Sequence, residues 1–185
     1  MRPRALRAAA LAALATLALA AAPAQAQTAP SAAELAGYAR LHHGLHAAAH
    51  RGDVAALRRA LAAGAAPDAR DGHGRTALHV ASFARRHEAI RTLAQAGATL
   101  GALEADRYDA VTIAAVADDE ATLALLLQLG ASAALVTSRY DGTALIAAAH
   151  LGHDGVVRQL IQAGAPLDHV NNLHWTALIE SIVLG

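Results

Sequence analysis

The dipeptide Gly-Ala returns at Gly64-Ala65, Gly97-Ala98, Gly130-Ala131 and Gly164-Ala165, at spacings of 33, 33 and 34 residues. A period in this range belongs to chains that copy one supersecondary unit, each copy burying its apolar face only against its neighbours. A second landmark keeps the register: "TALHVA" from Thr76, "DAVTIA" from Asp109, "TALIAA" from Thr143 and "TALIES" from Thr176. Seven residues beyond each landmark Leu or Val falls a turn position, filled by Gly52, Arg85, Asp118, Gly152 and Gly185.

Each copy reads as two short helices. In the fourth, the pattern predicts an apolar helix over 144–151, a turn at "GHDG", and a second helix carrying Val156, Val157, Leu160 and Ile161 before the Gly164 stop. Helices this short are marginal alone, so stacking on neighbours must stabilise them.

These residues resemble ankyrin repeats, whose pattern runs through a finger segment, Thr-Pro-Leu-His-x-Ala-Ala, a Gly-His turn, an Ile-Val-x-Leu-Leu helix and Gly-Ala. "GRTALHVAS", "HEAIRTLAQAGA" and "DGTALIAAAHLGHDGVVRQLIQAGA" carry the likeness, which covers 41–185. It implies an all-α ankyrin-repeat solenoid of helix-turn-helix units with finger loops. The repeats span 41–70, 71–103, 104–136, 137–170 and a partial 171–185. Two departures stand out. Ala77, Ala110, Ala144 and Ala177 replace the motif proline, and the copy from Glu104 lacks the motif Thr and has Asp118-Asp119-Glu120 in place of Gly-His.

The N-terminal segment has its own logic. Arg2, Arg4 and Arg7 precede an Ala/Leu run over 8–22 and then "APAQAQ", the three-part pattern of a secretory signal over 1–26 with cleavage expected after Ala26. The apolar run is shorter than the ~20 residues a membrane-spanning helix needs. A periplasmic or secreted chain is therefore expected, with no membrane segment after cleavage. A tether over 27–30 leads to a capping helix over 31–40, opened by the capping box of Ser31 and Glu34. At the other end, Gly185 falls at the inter-helix turn of the fifth copy. Ile179, Ile182, Val183 and Leu184 are thus expected to lack a covering helix, because the chain is a fragment or because a partner supplies one.

Composition closes off several functions. With no cysteine there is no disulfide framework, thiolate metal site or thiol nucleophile. All fifteen basic residues are Arg, and the cleaved chain would hold twelve against fifteen acids. That sign lacks the footprint of a nucleic-acid binder.

Histidines raise a competing reading. His42, His43, His46 and His50 crowd into ten residues, and the i, i+4 pairs His42/His46 and His46/His50 have a spacing that can ligate Zn²⁺ or Cu²⁺. Gly44 interrupts the stretch, no acid in it offers a second shell, and repeat register aligns His46 with His79, the motif His. The resemblance implies that both bond finger backbone and that His153 belongs to the Gly-His turn. No metal or cofactor is expected, and a His-rich metal binder is the alternative. Asp118, Asp119 and Glu120 read as helix capping rather than a Ca²⁺ loop. Ser82/His79/Asp71 and Ser138/His150/Asp141 form triads only on paper, since neither lies in a nucleophile elbow. An enzyme with a small-molecule substrate is not expected.

What remains is recognition of another protein. Of five aromatics, Tyr108, Tyr140 and Trp175 lie in finger segments, with Arg70, Asp106, Arg107 and Arg139 nearby. Phe83 and His50 share a register position that ankyrin stacks turn toward the concave surface. Tyr, Trp and Arg dominate interface hot spots, so these nine residues form the candidate partner site; the competing reading has the aromatics packing one finger on the next. The resemblance to exported bacterial ankyrin proteins, some linked to peroxide defence alongside catalase, implies a periplasmic partner and a stress-related client.

Overall fold

The computed structural model describes residues 44–184, so the expected signal, tether and capping helix lie outside the described residues. Nine helices follow in order: α1 (Leu45–Arg51), α2 (Val54–Ala62), α3 (Ala77–Phe83), α4 (His87–Gln95), α5 (Ala110–Val116), α6 (Glu120–Gln128), α7 (Ala144–Leu151), α8 (Asp154–Gln162) and α9 (Ala177–Leu184). The odd-numbered helices α1, α3, α5, α7 and α9 stack side by side as an inner layer, and α2, α4, α6 and α8 as an outer one. Between β1 (Val136–Thr137) and β2 (Gly142–Thr143) a two-residue antiparallel ladder pairs Val136 with Thr143. It forms one finger and leaves the all-α reading intact.

Burial explains why the short helices hold. Leu57, Ile90, Leu93, Leu123, Leu126 and Leu160 of the outer layer and Leu78 and Leu145 of the inner layer are fully buried. Each contributes about 1.5–3 kcal/mol. Buried Ala48, Ala49, Ala81, Ala114, Ala115 and Ala148 set the inner-helix spacing, because side-chain size at a crossing fixes the interaxial distance.

The inter-helix turn demands a left-handed residue. Gly52 (φ 73°) and Gly152 (φ 73°) supply it without strain, whereas Arg85 (φ 57°) and Asp118 (φ 50°) occupy the same position with a side chain. The chain compensates around them. Arg85 donates to the Ala117 carbonyl at 3.1 Å and lies 3.4 Å from Asp119. Asp119 is the N-cap of α6, accepting from the Thr122 amide at 3.1 Å, which is the capping role expected of the acidic cluster.

The divergent third repeat closes by a substitution of chemistry. Where its neighbours start an inner helix with Thr76 or Thr143, it uses Asp109, whose carboxylate accepts from the Thr112 amide at 2.8 Å. Asp109 is 1% exposed, and burial pushes its carboxyl pKa above 3.8 despite the hydrogen bonds to Thr112.

Candidate partner-binding face

Both histidines at the motif position act as finger ties. His79 is buried; the Thr76 amide donates to its Nδ1 at 3.0 Å, so Nε2 carries the proton and donates to the Ala102 carbonyl at 2.8 Å and the Tyr108 carbonyl at 3.1 Å. Burial holds its pKa below 6.5, which fits an imidazole whose bonds all suit the neutral form. His46 repeats the tie, with Nε2 at 3.0 Å from the Arg75 carbonyl. In the third repeat Thr112 replaces the histidine and bonds Thr137 at 3.0 Å. His153 closes the other side, its Nδ1 donating to the Ala115 carbonyl at 2.9 Å.

These bonds bear on the histidine-rich stretch. Helix α1 starts after Gly44, which has φ 90°, so only His46 and His50 lie on it, and one nitrogen of His46 is engaged with Arg75. His42 and His43 fall outside the described residues. Among the described residues no group of three or more His, Asp and Glu could hold a metal ion. The paper triads are also dispersed: Asp71 bonds Arg75, Ser138 bonds the Tyr140 amide, and Asp141 pairs with Arg107.

The nine candidate residues fall into two groups. Seven charged or aromatic finger residues are tied to the protein itself. Arg70 donates to the carbonyls of Gly74 at 2.6 Å and Leu103 at 2.7 Å. Arg139 meets Asp106 at 2.7 Å, and Arg107 meets Asp141 at 3.1 Å, each pair linking one fingertip to the next. Tyr108 is half-buried, its amide donating to Glu104 and its phenol pushed above pKa 10 by burial. Tyr140 and Trp175 are half-buried too, and their carbonyls accept from the Asn172 and Asn171 amides. The ion pairs were legible in principle: Asp106 and Arg139 are 33 residues apart, one repeat.

Phe83 and His50 behave otherwise. They occupy equivalent positions in the last turns of α3 and α1, and both are exposed, Phe83 at 74%. The same register position in α5 and α7 is held by Val116, 41% exposed, and His150, about one third exposed. Leu151, one residue on, is 46% exposed. Together they make a ridge along the inner layer. His150 Nδ1 lies 2.9 Å from Glu180 of α9, a carboxylate 4% exposed, and that hydrogen bond holds the His150 pKa above 6.5. Sequence reading did not place Val116, His150, Leu151 or Glu180 on the partner face, although a step of 33 residues from Phe83 reaches Val116 and a further 34 reach His150.

Stacked helix-turn-helix units with tied fingers and one exposed inner-layer ridge define a recognition solenoid. Two segments match known families: residues 45–94 match "Ankyrin repeats (many copies)" and residues 140–172 match "Ankyrin repeat". The stretch between them contains the divergent third copy. A protein of Escherichia coli (strain K12) named for its ankyrin repeats, YahD, is 29% identical over 139 residues, covering 75% of this chain and 69% of that protein. The chain is an ankyrin-repeat protein, and its repeats support a role in protein–protein interaction.

Proposed function

We propose that the protein is a non-enzymatic recognition module that binds another protein through the concave ridge of its inner helices, after export to the periplasm or beyond the cell. The observation that carries the ridge is Phe83, the chain's one phenylalanine, left 74% exposed on α3 while the rest of that helix is buried. An aromatic in that setting is desolvated only when a partner covers it. The finger residues Arg70, Asp106, Arg107, Tyr108, Arg139, Tyr140 and Trp175 then frame the groove and shape its edge. Export rests on the three-part pattern of 1–26, and a stress-related client rests on family resemblance alone.

Placing a photoreactive residue at Phe83 and, as control, at Arg91 on the outer layer tests this reading in cells. A discrete cross-linked adduct is expected from position 83 and none from position 91; adducts from 91 alone, or equal adducts from both, refute it. Protein recovered from the exporting cell is expected to begin at Gln27, and recovery with Met1 intact would remove the export claim.

A further inference from the structure

Charge and apolar surface are not spread evenly along the ridge. Its apolar part lies on the second, third and fourth repeats, in Phe83 (74% exposed), Val116 (41%) and Leu151 (46%), with the small Ala84 and Ala117 between them. Its arginines, Arg51 and Arg85, lie on the first and second repeats. His50 and Arg51 are exposed at the end of α1, and Arg51 forms no ion pair among the described residues. Arg85, on the adjoining turn, keeps its side chain 60% exposed while touching Asp119.

Two of the acids on the same rows are already matched. Glu180 is buried under His150, and Asp119 is buried as a helix cap between Thr122 and Arg85. Asp118, at the turn position equivalent to Arg85, is exposed two residues beyond Val116 and 4.0 Å from His153, so this acid lies on the third repeat, away from Arg51. The ridge therefore offers the unpaired charge of Arg51 at one end, with the exposed but engaged Arg85 next to Phe83, and uncovered apolar surface along the rest, where the exposed charge is the acid Asp118.

We propose that the ridge takes a polypeptide segment whose apolar side chains follow Phe83, Val116 and Leu151 and whose acidic side chains lie over His50, Arg51 and Arg85. This rests on the concave-face reading above and adds the chemistry and direction of the partner. Apolar burial supplies the affinity, concentrated on the aromatic. The charge gradient supplies register and polarity, since a segment laid the other way would bring its carboxylates over Leu151 and the buried Glu180.

A displayed library of random peptides selected on the purified chain, with the Phe83→Ala variant used to remove ridge-independent binders, tests the inference without a known partner. Enriched sequences are expected to combine apolar residues with a one-sided acidic cluster. A synthetic representative is expected to bind Phe83→Ala at least about thirtyfold more weakly. Arg51→Glu should weaken it by about five- to tenfold at low salt, and that difference should shrink at about 1 M salt. Both residues are exposed, and unchanged thermal unfolding of each variant verifies that the stack is intact.

Phe83-dependent peptides that are neutral or basic, or that ignore Arg51→Glu, overturn the acidic partner and leave the concave-face reading standing. Self-association of the chain that Phe83→Ala abolishes also overturns it, by making a second copy the occupant. Peptides that bind wild type and Phe83→Ala equally, or an empty selection on a display that works for a control target, count against both readings.

Discussion

The fingertips and the concave ridge are neighbouring surfaces of the same repeats, and they treat their side chains in opposite ways. At the fingertips, arginines of the kind that dominate interfaces are spent on the fold: Arg139 on Asp106, Arg107 on Asp141, Arg70 on the carbonyls of Gly74 and Leu103. On the ridge, Phe83, Val116 and Leu151 stand out from helices whose other faces are buried, and nothing in the described chain covers them. Residue type alone therefore does not separate side chains engaged within a repeat protein from those left open. A side chain one period away is the first partner to check.

If the finger side is structural, substitutions beneath it should be costly. His79→Ala would orphan the buried Ala102 carbonyl, leave the Tyr108 carbonyl with the Glu104 amide alone, and remove the bond to the Thr76 amide. A loss of about 2–4 kcal/mol is expected in urea unfolding, against less than about 0.5 kcal/mol for Phe83→Ala on its exposed surface. Similar costs for the two variants would erase the contrast.

Asp109→Thr keeps the α5 cap and removes a buried carboxylate. Its folded pKa lies above 3.8, so the native state holds the proton more tightly and stability falls as pH rises from 3.8 through the folded value. The variant should be about 1 kcal/mol more stable at neutral pH. That advantage should shrink on acidification through the same window, whereas an advantage constant with pH would show that the carboxylate charge is not its source.

Histidine titration separates finger from ridge again, with opposite sign. The stability tied to neutral His79 is present above pH 6.5 and lost as pH falls from there through its lowered pKa. The contribution of protonated His150 with Glu180 is present below pH 6.5 and lost as pH rises through its raised pKa. Melting curves from about pH 5 to about pH 8 should therefore change slope in Glu180→Gln on the alkaline side only. A change confined to the acid side would contradict the assignment.

Arg139→Ala is expected to have the smallest effect, within about 0.5 kcal/mol, because both members of its pair are half-exposed and screened. A larger loss in thermal unfolding would mean that the fingertip ladder acts cooperatively.

Much of this was legible in the sequence because a repeat exposes its own register. The 33-residue period located the turns at Gly52, Arg85, Asp118 and Gly152 and aligned His46 with His79, for which the ankyrin resemblance implied bonds to finger backbone. It also pointed to Phe83 and His50 as surface residues. The third copy was harder to read, because Asp109 performs the cap that the motif assigns to Thr, and a motif records residue type rather than the amide that must be satisfied. The fingertip pairs went unread for a related reason. Arg107 and Asp141 look like free charges until the solenoid rise brings consecutive fingers within 3.1 Å. His150 and Glu180 needed the stacking of α9 on α7, which no local pattern encodes.

The central claim is that recognition sits on the ridge while the fingertips hold the stack together. Titration calorimetry with the partner cross-linked through position 83 tests it most directly, comparing Phe83→Ala with the double variant Arg107→Ala, Arg139→Ala. The account predicts a loss of at least about thirtyfold in affinity for Phe83→Ala and a change within about threefold for the fingertip variant. Retained affinity in Phe83→Ala together with lost affinity in the fingertip variant would contradict it.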